Sequence, residues 1–114
     1  SISQEVLNKE LSVNKDSRSF VVELAKNAKT AGLDGVVASV AELEAIKKEL
    51  GDDFIVLTPG IRPSWSSVND QKRIATPSSA ISKGADFIVL GRAITASDNR
   101  IEAIEKIYSE IIRI

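Results

Sequence analysis

Three short apolar segments, each preceded by the same kind of turn, constrain the fold more than any other feature of the chain. The turns are Gly32-Leu33-Asp34, Gly51-Asp52-Asp53 and Gly84-Ala85-Asp86. The apolar segments that follow are 35–38, 54–57 and 87–90. They lack the polar alternation of a half-exposed strand, which is typical of strands buried on both faces. Each turn therefore marks the end of a helix and the start of a buried strand.

Helical periodicity precedes and follows the first strand. One helix is predicted over about 17–31, with Asp16 or Ser17 as its N-cap. Ser39 and Glu42 have capping-box spacing and begin a second helix. One face of the first helix holds Phe20, Val21, Leu24, Ala25 and Ala28, and the buried face of the second holds Leu43, Ile46 and Leu50.

Two further helices follow the second and third strands. Thr76 is the expected N-cap of one, with Pro77 in its first turn and Gly84 at its end. The last helix starts after Ser97 or Asp98. It places an apolar stripe at helical spacing, formed by Ile101, Ile104, Ile107, Tyr108, Ile111 and Ile112.

This alternation predicts an α/β fold with a parallel sheet built from right-handed βαβ units. Residues 1–114 are expected to form one domain or a part of one. A closed (β/α)₈ barrel takes about 250 residues, so the chain is near half of one. Three strands would leave two unpaired edges on an apolar sheet, which favours association.

Composition excludes several classes of function. The 15 basic and 16 acidic side chains give a net charge of −1, with no block of like charges, so neither nucleic acid nor an anionic membrane is an expected partner. The chain has no Cys and no His, which removes thiolate nucleophiles, His-liganded metals and Ser-His-Asp triads. No apolar run approaches the roughly 18 residues of a membrane span, and we expect a cytoplasmic protein.

The segment 58–71 follows the second strand and is rich in Pro, Gly and polar residues, so it is predicted to be a loop. Most loops have about 4–6 residues, and a longer one indicates function. Arg62 and Gln71 lie near its two ends, and Gly91-Arg92 ends the third strand in a similar way. If the two strands are parallel neighbours, both arginines project from the same edge of the sheet. Backbone N–H groups at glycines and paired guanidinium donors suit phosphate, although either arginine alone could pair with a surface carboxylate.

Other candidates have simpler alternatives. Ser39 is explained by its capping box with Glu42 without any ligand. Trp65 either covers a ligand or packs beneath the loop. Asp52 and Asp53 lie at the opposite edge of the sheet and are expected to be solvated rather than to bind metal.

The chain resembles the orotidine 5′-phosphate decarboxylase family. The resemblance rests on Thr-Pro-Gly-Ile-Arg-Pro at 58–63, Asp-Gln at 70–71, Thr-Pro at 76–77, Gly-Arg at 91–92 and Gly-Leu-Asp-Gly-Val-Val-Ala-Ser at 32–39. It covers nearly the whole chain. It implies that the strands are the sixth, seventh and eighth of a (β/α)₈ TIM barrel, whose C-terminal part this chain would form.

The resemblance also implies a function. The family decarboxylates orotidine 5′-monophosphate (OMP) to uridine 5′-monophosphate (UMP) in pyrimidine biosynthesis, as a homodimer and without metal or organic cofactor. By the same resemblance, the substrate phosphate is held by Arg62, Gln71, Gly91 and Arg92, Pro59 lines the site, and Ser39 meets the pyrimidine ring.

Two differences from the family pattern matter. The family often has glycine where this chain has Trp65 and Asn69. Its catalytic Lys/Asp network, Asp-x-Lys-x-x-Asp on an earlier strand, is absent, so catalytic residues are expected upstream of residue 1 and the chain alone is expected to be inactive. Two alternatives remain: another sugar-phosphate TIM-barrel enzyme, and a non-catalytic, self-associating phosphate-binding module.

Overall fold

The computed structural model describes residues 2–66 and 75–112, and helices separate its strands as the sequence predicts. In chain order they are α1 (Gln4–Lys9), α2 (Ser17–Thr30), β1 (Gly35–Val37), α3 (Val40–Leu50), β2 (Ile55–Thr58), α4 (Pro77–Ser82), β3 (Phe87–Ile88), α5 (Arg92–Thr95) and α6 (Arg100–Ile112).

The three strands form one parallel sheet in the order β1-β2-β3, with β2 in the centre. The register pairs Val36 with Val56, and Leu57 with Phe87. The parallel α/β arrangement predicted from the sequence is therefore confirmed. β3 is shorter than the apolar segment 87–90 because it pairs only with the end of β2, although the Val89 N–H still donates to the Thr58 carbonyl oxygen at 2.9 Å.

One face of the sheet is packed and the other is open. Side chains of Val56 and Thr58 point to the helical layer and are fully buried, together with Leu43 and Ile46 of α3. The residues that alternate with these along the strands point to the opposite face. There, Val37 is 69% exposed and Phe87 is 58% exposed. Among the described residues, the main core cluster thus lies between the sheet and its helices.

Lys47 of α3 forms hydrogen bonds with residues at the N-terminal ends of β2 and β3. Its ammonium group is almost fully buried and donates to the Asp86 carboxylate at 2.7 Å, the Phe54 carbonyl at 2.8 Å and the Asp52 carbonyl at 3.0 Å. The same Asp86 oxygen accepts the Val56 N–H at 2.8 Å. Burial alone would raise the pKa of Asp86, but the hydrogen bonds from Lys47 and Val56 and the charge of Lys47 outweigh it, so that the pKa is lowered.

Several local features were not predicted. A short helix, α5, lies between the third strand and the last helix, where the sequence analysis named no element. In α2, Leu24 is exposed although its neighbour Ala25 is buried. In α6, Ala103 and Ile107 are the buried positions, and most of the predicted apolar stripe faces outward. Periodicity identifies which residues share a face, but not which face has a neighbour to pack against.

Replacing Lys47 with Met should lower the free energy of unfolding by roughly 2–3 kcal/mol, less than the 3–5 kcal/mol of a fully buried pair because Asp86 is partly exposed. Urea unfolding measures the change, and Lys48→Met on the exposed side of α3 is the matched control. Equal effects of the two substitutions would contradict the role of Lys47.

The same ion pair predicts a pH dependence. Because the pKa of Asp86 is lower in the folded state, its contribution to stability is present above the unfolded carboxyl pKa of about 4 and is lost as the pH falls through the folded pKa. Urea unfolding at a series of pH values below 5 should show a steeper loss of stability for the native chain than for Lys47→Met. Parallel pH profiles would count against this linkage.

Candidate functional site

The site is built where β2 and β3 end. Thr58 closes β2, and its carbonyl accepts the Val89 N–H, which holds the two strand ends together. Pro59 follows and is exposed, and Gly60 then turns the chain with a φ of +73°. That left-handed conformation favours glycine.

The backbone around Arg62 is held on both sides. Ile61 is 3% exposed and forms an isolated parallel bridge with Ala75. The Arg62 N–H donates to the Ala75 carbonyl at 2.9 Å, and Pro63 is fully buried. Ala75 leads directly into Thr76, the predicted N-cap of α4, whose side chain forms a capping box with Ser79. Arg62 therefore extends from a well-anchored point.

Arg92 approaches from the end of β3. Gly91 is the N-cap residue of α5, and its carbonyl accepts the N–H groups of Ile94 and Thr95 at 3.0 and 3.1 Å. Nothing lies within 4 Å of the position where a Cβ would stand on Gly91. The backbone at Gly91 is consequently open to a ligand, with Arg92 exposed beside it.

The two arginine-bearing turns share one open cavity of about 200 Å³. Its lining residues are Gly60, Ile61, Arg62, Val89, Gly91, Arg92 and Ala93. Pockets for drug-sized ligands measure roughly 300–1,000 Å³, so this cavity suits one compact end of a ligand. Two of its lining residues are arginines, and positive side chains beside a cavity favour an anion there.

The other predicted site residues lie apart from this cavity or outside the described residues. Ser39 is exposed beyond β1, at the same carboxyl edge of the sheet, and Pro59 adjoins Gly60 without lining the cavity. Gln71 falls outside the residues that the structure describes. The sequence analysis did not name Ile61, Val89 or Ala93 as lining residues. Ile61 lies within the segment 58–63, and Val89 lies within the predicted strand 87–90.

The capping box expected at Ser39 is not formed. Ser39 is the N-cap residue of α3, but its side chain accepts no backbone N–H. Its hydroxyl donates instead to the Glu42 carboxylate. Side-chain spacing alone could not distinguish these arrangements, because both need the same two residues three positions apart. The Ser39 oxygen retains its lone pairs as acceptors.

Trp65 lies against α6 rather than in the arginine cavity. The Lys106 ammonium stands 5.5 Å from the centre of its ring, and Trp65 lines a separate groove with Ser64 and residues of α6. The Trp65 ring therefore lies beside the helix and does not line the cavity shared by Arg62 and Arg92.

Within residues 2–66 and 75–112, no three acidic side chains gather where they could hold a metal ion, and Asp52 and Asp53 are exposed as expected. Across the same residues, none of the helices combines the length and the apolar character needed to cross a membrane.

Relatives place this geometry in a family. The model of the Orotidine 5′-phosphate decarboxylase / HUMPS family matches residues 1–107. Orotidine 5′-phosphate decarboxylase of Geobacter sp. (strain M21) is 55% identical over 93 residues, which are 82% of this chain and 39% of the relative. The Syntrophomonas wolfei enzyme is 50% identical over 112 residues, covering 97% of this chain and 47% of its own length.

Solved structures similar to this chain include orotidine 5′-phosphate decarboxylases. The crystal structure of orotidine 5′-phosphate decarboxylase from Lactobacillus acidophilus superposes with a TM-score of 0.81 at 37% identity, over 96% of this chain and 44% of that one. The Pyrococcus horikoshii enzyme gives a TM-score of 0.63 at 28% identity, over 82% of this chain and 42% of that one. The chain spans less than half the length of the relatives it matches. It therefore belongs to the orotidine 5′-phosphate decarboxylase / HUMPS family and corresponds to the C-terminal portion of the family's (β/α)₈ barrel.

Proposed function

We propose that this chain is the phosphate-binding portion of an orotidine 5′-phosphate decarboxylase, the carboxy-lyase that converts OMP to UMP and CO₂ in pyrimidine biosynthesis. The observation that carries the proposal is the cavity shared by Arg62 and Arg92, in a chain that the family model matches over residues 1–107.

In this proposal the cavity receives the 5′-phosphate. Each guanidinium group can donate two parallel hydrogen bonds to phosphate oxygens, and the backbone at Gly60 and Gly91 is accessible for further N–H contacts. Gln71 is proposed to add an amide donor. The size of the cavity supports this assignment, because it matches the compact phosphate rather than the whole nucleotide.

The remaining predicted residues are proposed to serve the rest of the nucleotide. Ser39 follows β1 and lies at the same carboxyl edge as the arginines, where ligands of parallel α/β folds bind. It would meet the pyrimidine ring, and since its hydroxyl proton is donated to Glu42, its oxygen is available to accept a hydrogen bond from a ring N–H. Pro59 would shape the wall between ring and phosphate.

Decarboxylation needs groups that this chain does not provide. The bond between the ring carbon and the carboxylate breaks, CO₂ leaves, and the electron pair stays on the ring carbon until a proton arrives. We propose that the Lys/Asp network for this step belongs to the N-terminal portion of the barrel. Binding energy from the phosphate, distant from the breaking bond, lowers the barrier only if it is used to favour the transition state.

Further properties of the whole enzyme are proposed from family membership alone. We expect a homodimer in the cytoplasm that works without metal or organic cofactor, and we expect residues 1–114 to be one part of a single barrel domain.

Two other functions are tested by the same ligands. The family description also contains the name HUMPS, which leaves room for another sugar-phosphate barrel enzyme. The segment Thr-Pro-Gly-Ile-Arg-Pro at 58–63 favours the decarboxylase. A self-associating module without activity is compatible with the open face of the sheet. Binding of a panel of sugar phosphates and nucleotides separates these alternatives.

Arg62→Ala and Arg92→Ala should each weaken UMP binding roughly 10- to 100-fold, since charge-assisted hydrogen bonds contribute about 1.5–3 kcal/mol each. Isothermal titration calorimetry with UMP and with uridine measures the effect, and uridine affinity should not change. Arg100→Ala, on the exposed first turn of α6, is the matched control. Equal affinity of the native chain for UMP and uridine would refute the phosphate assignment.

Mixing the chain with the N-terminal portion of the Syntrophomonas wolfei relative should restore OMP decarboxylation, which the chain alone should lack. CO₂ release measures the activity. A control N-terminal portion, with the lysine of its Asp-x-Lys-x-x-Asp motif replaced by Ala, should form the complex without activity. A complex that binds UMP but never decarboxylates OMP would sink the proposal.

A further inference from the structure

Helix α6 contacts both of the segments that carry the arginines. It packs against α5, whose first residue is Arg92, and against α4. α4 follows Ala75, whose carbonyl accepts the Arg62 N–H at 2.9 Å. The Ser78 hydroxyl at the start of α4 donates to the Glu110 carboxylate of α6 at 3.3 Å. One helix therefore supports the backbone on both sides of the arginine cavity.

A short turn carries the chain from Arg62 to the side of α6. Pro63 is fully buried, and its carbonyl accepts the Ser66 N–H at 3.0 Å, which closes a four-residue turn. Trp65 lies inside this turn, three residues after Arg62. A hydrogen bond between the ends of such a turn restricts the backbone between them. The position of the Trp65 ring is therefore linked to that of Arg62 through a short segment with a buried start.

The Trp65 ring meets a polar side of α6. Ser64 and Trp65 share a groove with α6 residues that recur every three or four positions, namely Glu102, Glu105, Lys106, Ser109 and Glu110. All five of these side chains are polar or charged. The Lys106 ammonium stands 5.5 Å from the centre of the Trp65 ring, within the range of a cation–π interaction. The Glu102 carboxylate contacts the same ammonium at 2.9 Å. Lys106 is thus the α6 residue that holds the ring.

Binding of one phosphate by two arginines depends on how far apart they are held. A binding site needs its groups within about 0.5 Å of the productive geometry. Arg62 and Arg92 stand on separate turns, thirty positions apart in the chain. A helix that contacts both turns can set the distance between them. On the Arg62 side, that contact includes Trp65 and Lys106.

We propose that Trp65 and Lys106 are positioning residues for the phosphate: their contact fixes the Arg62 turn to α6 at the spacing from Arg92 that one phosphate dianion bridges. The inference rests on the proposed phosphate site and adds to it two residues that do not line the cavity. Coupling between two binding events is reciprocal. Phosphate at the arginines therefore strengthens the contact between Trp65 and Lys106 by the factor by which that contact strengthens phosphate binding.

Isothermal titration calorimetry with UMP and with inorganic phosphate tests the proposal. Lys106→Met and Trp65→Leu should each raise the dissociation constant about two- to fivefold, the factor that an exposed cation–π interaction contributes. The two losses should not add, so Lys106→Met should have no further effect in a Trp65→Leu background. Lys106→Arg keeps a cation beside the ring and should retain the native affinity. Circular dichroism should show unchanged folding, because Trp65 is 44% exposed and the Lys106 side chain is 55% exposed.

Tryptophan fluorescence gives a readout that a purely structural role would not move. Trp65 is the only tryptophan of the chain, so the emission reports on this contact alone. Inorganic phosphate should shift the emission of the native chain, and Lys106→Met should abolish that shift. Lys9→Met is the matched control, since Lys9 also forms an exposed ion pair with a glutamate four residues earlier on its helix, Glu5. It should leave the affinity and the emission shift unchanged.

Three results would overturn the positioning role while the phosphate site stands. The first is UMP binding by the native chain that neither Lys106→Met nor Trp65→Leu weakens. The second is a loss with Lys106→Met but none with Trp65→Leu, which would assign the effect to the missing charge. The third is additive losses in the double variant, since the two residues would then act separately. A native chain that binds neither UMP nor phosphate would instead refute the phosphate site, and the positioning role with it.

Discussion

The parallel pairing of β2 with β3 is the constraint on which the rest of the structure depends. It brings Arg62 and Arg92, thirty positions apart in the sequence, to one edge of the sheet. Separate interactions hold the two ends of the pair: the buried Lys47 ammonium binds Asp86 where the strands begin, and the Val89 N–H binds the Thr58 carbonyl where they end. The Lys47–Asp86 ion pair therefore lies at the end of the sheet opposite the arginines. Its carboxylate does not compete with a ligand for Arg62 and Arg92.

Much of this arrangement could be predicted from the sequence because it depends on local signals. Gly-x-Asp turns and unbroken apolar segments give the strands, and Thr76-Pro77 gives the start of α4. A parallel sheet then determines that residues following neighbouring strands meet at one edge. The shared cavity of Arg62 and Arg92 follows from that rule, whereas Gln71 lies outside the described residues and its position stays a prediction.

What could not be predicted depends on contacts between distant segments. Lys47 has an ordinary place on a helix, and only the fold shows that it reaches Asp86, 39 residues later. At Ser39, the same spacing to Glu42 fits either a capping box or a direct hydrogen bond between the two side chains. The structure has the direct hydrogen bond. In α6, the same periodicity that identifies the helix cannot say that Ala103 and Ile107 are buried while the larger side chains remain outside.

The open surfaces and the arginine cavity have a common physical origin. A barrel strand exposes its inner-face side chains until the remaining strands fill the interior with layers of their own. The helices already bury the outer face of the β2–β3 pair. In the proposed function, the phosphate is held at the turns that carry Arg62 and Arg92. Decarboxylation would also need groups brought across the open face, so that one portion of a barrel could bind the phosphate and still depend on another portion for chemistry.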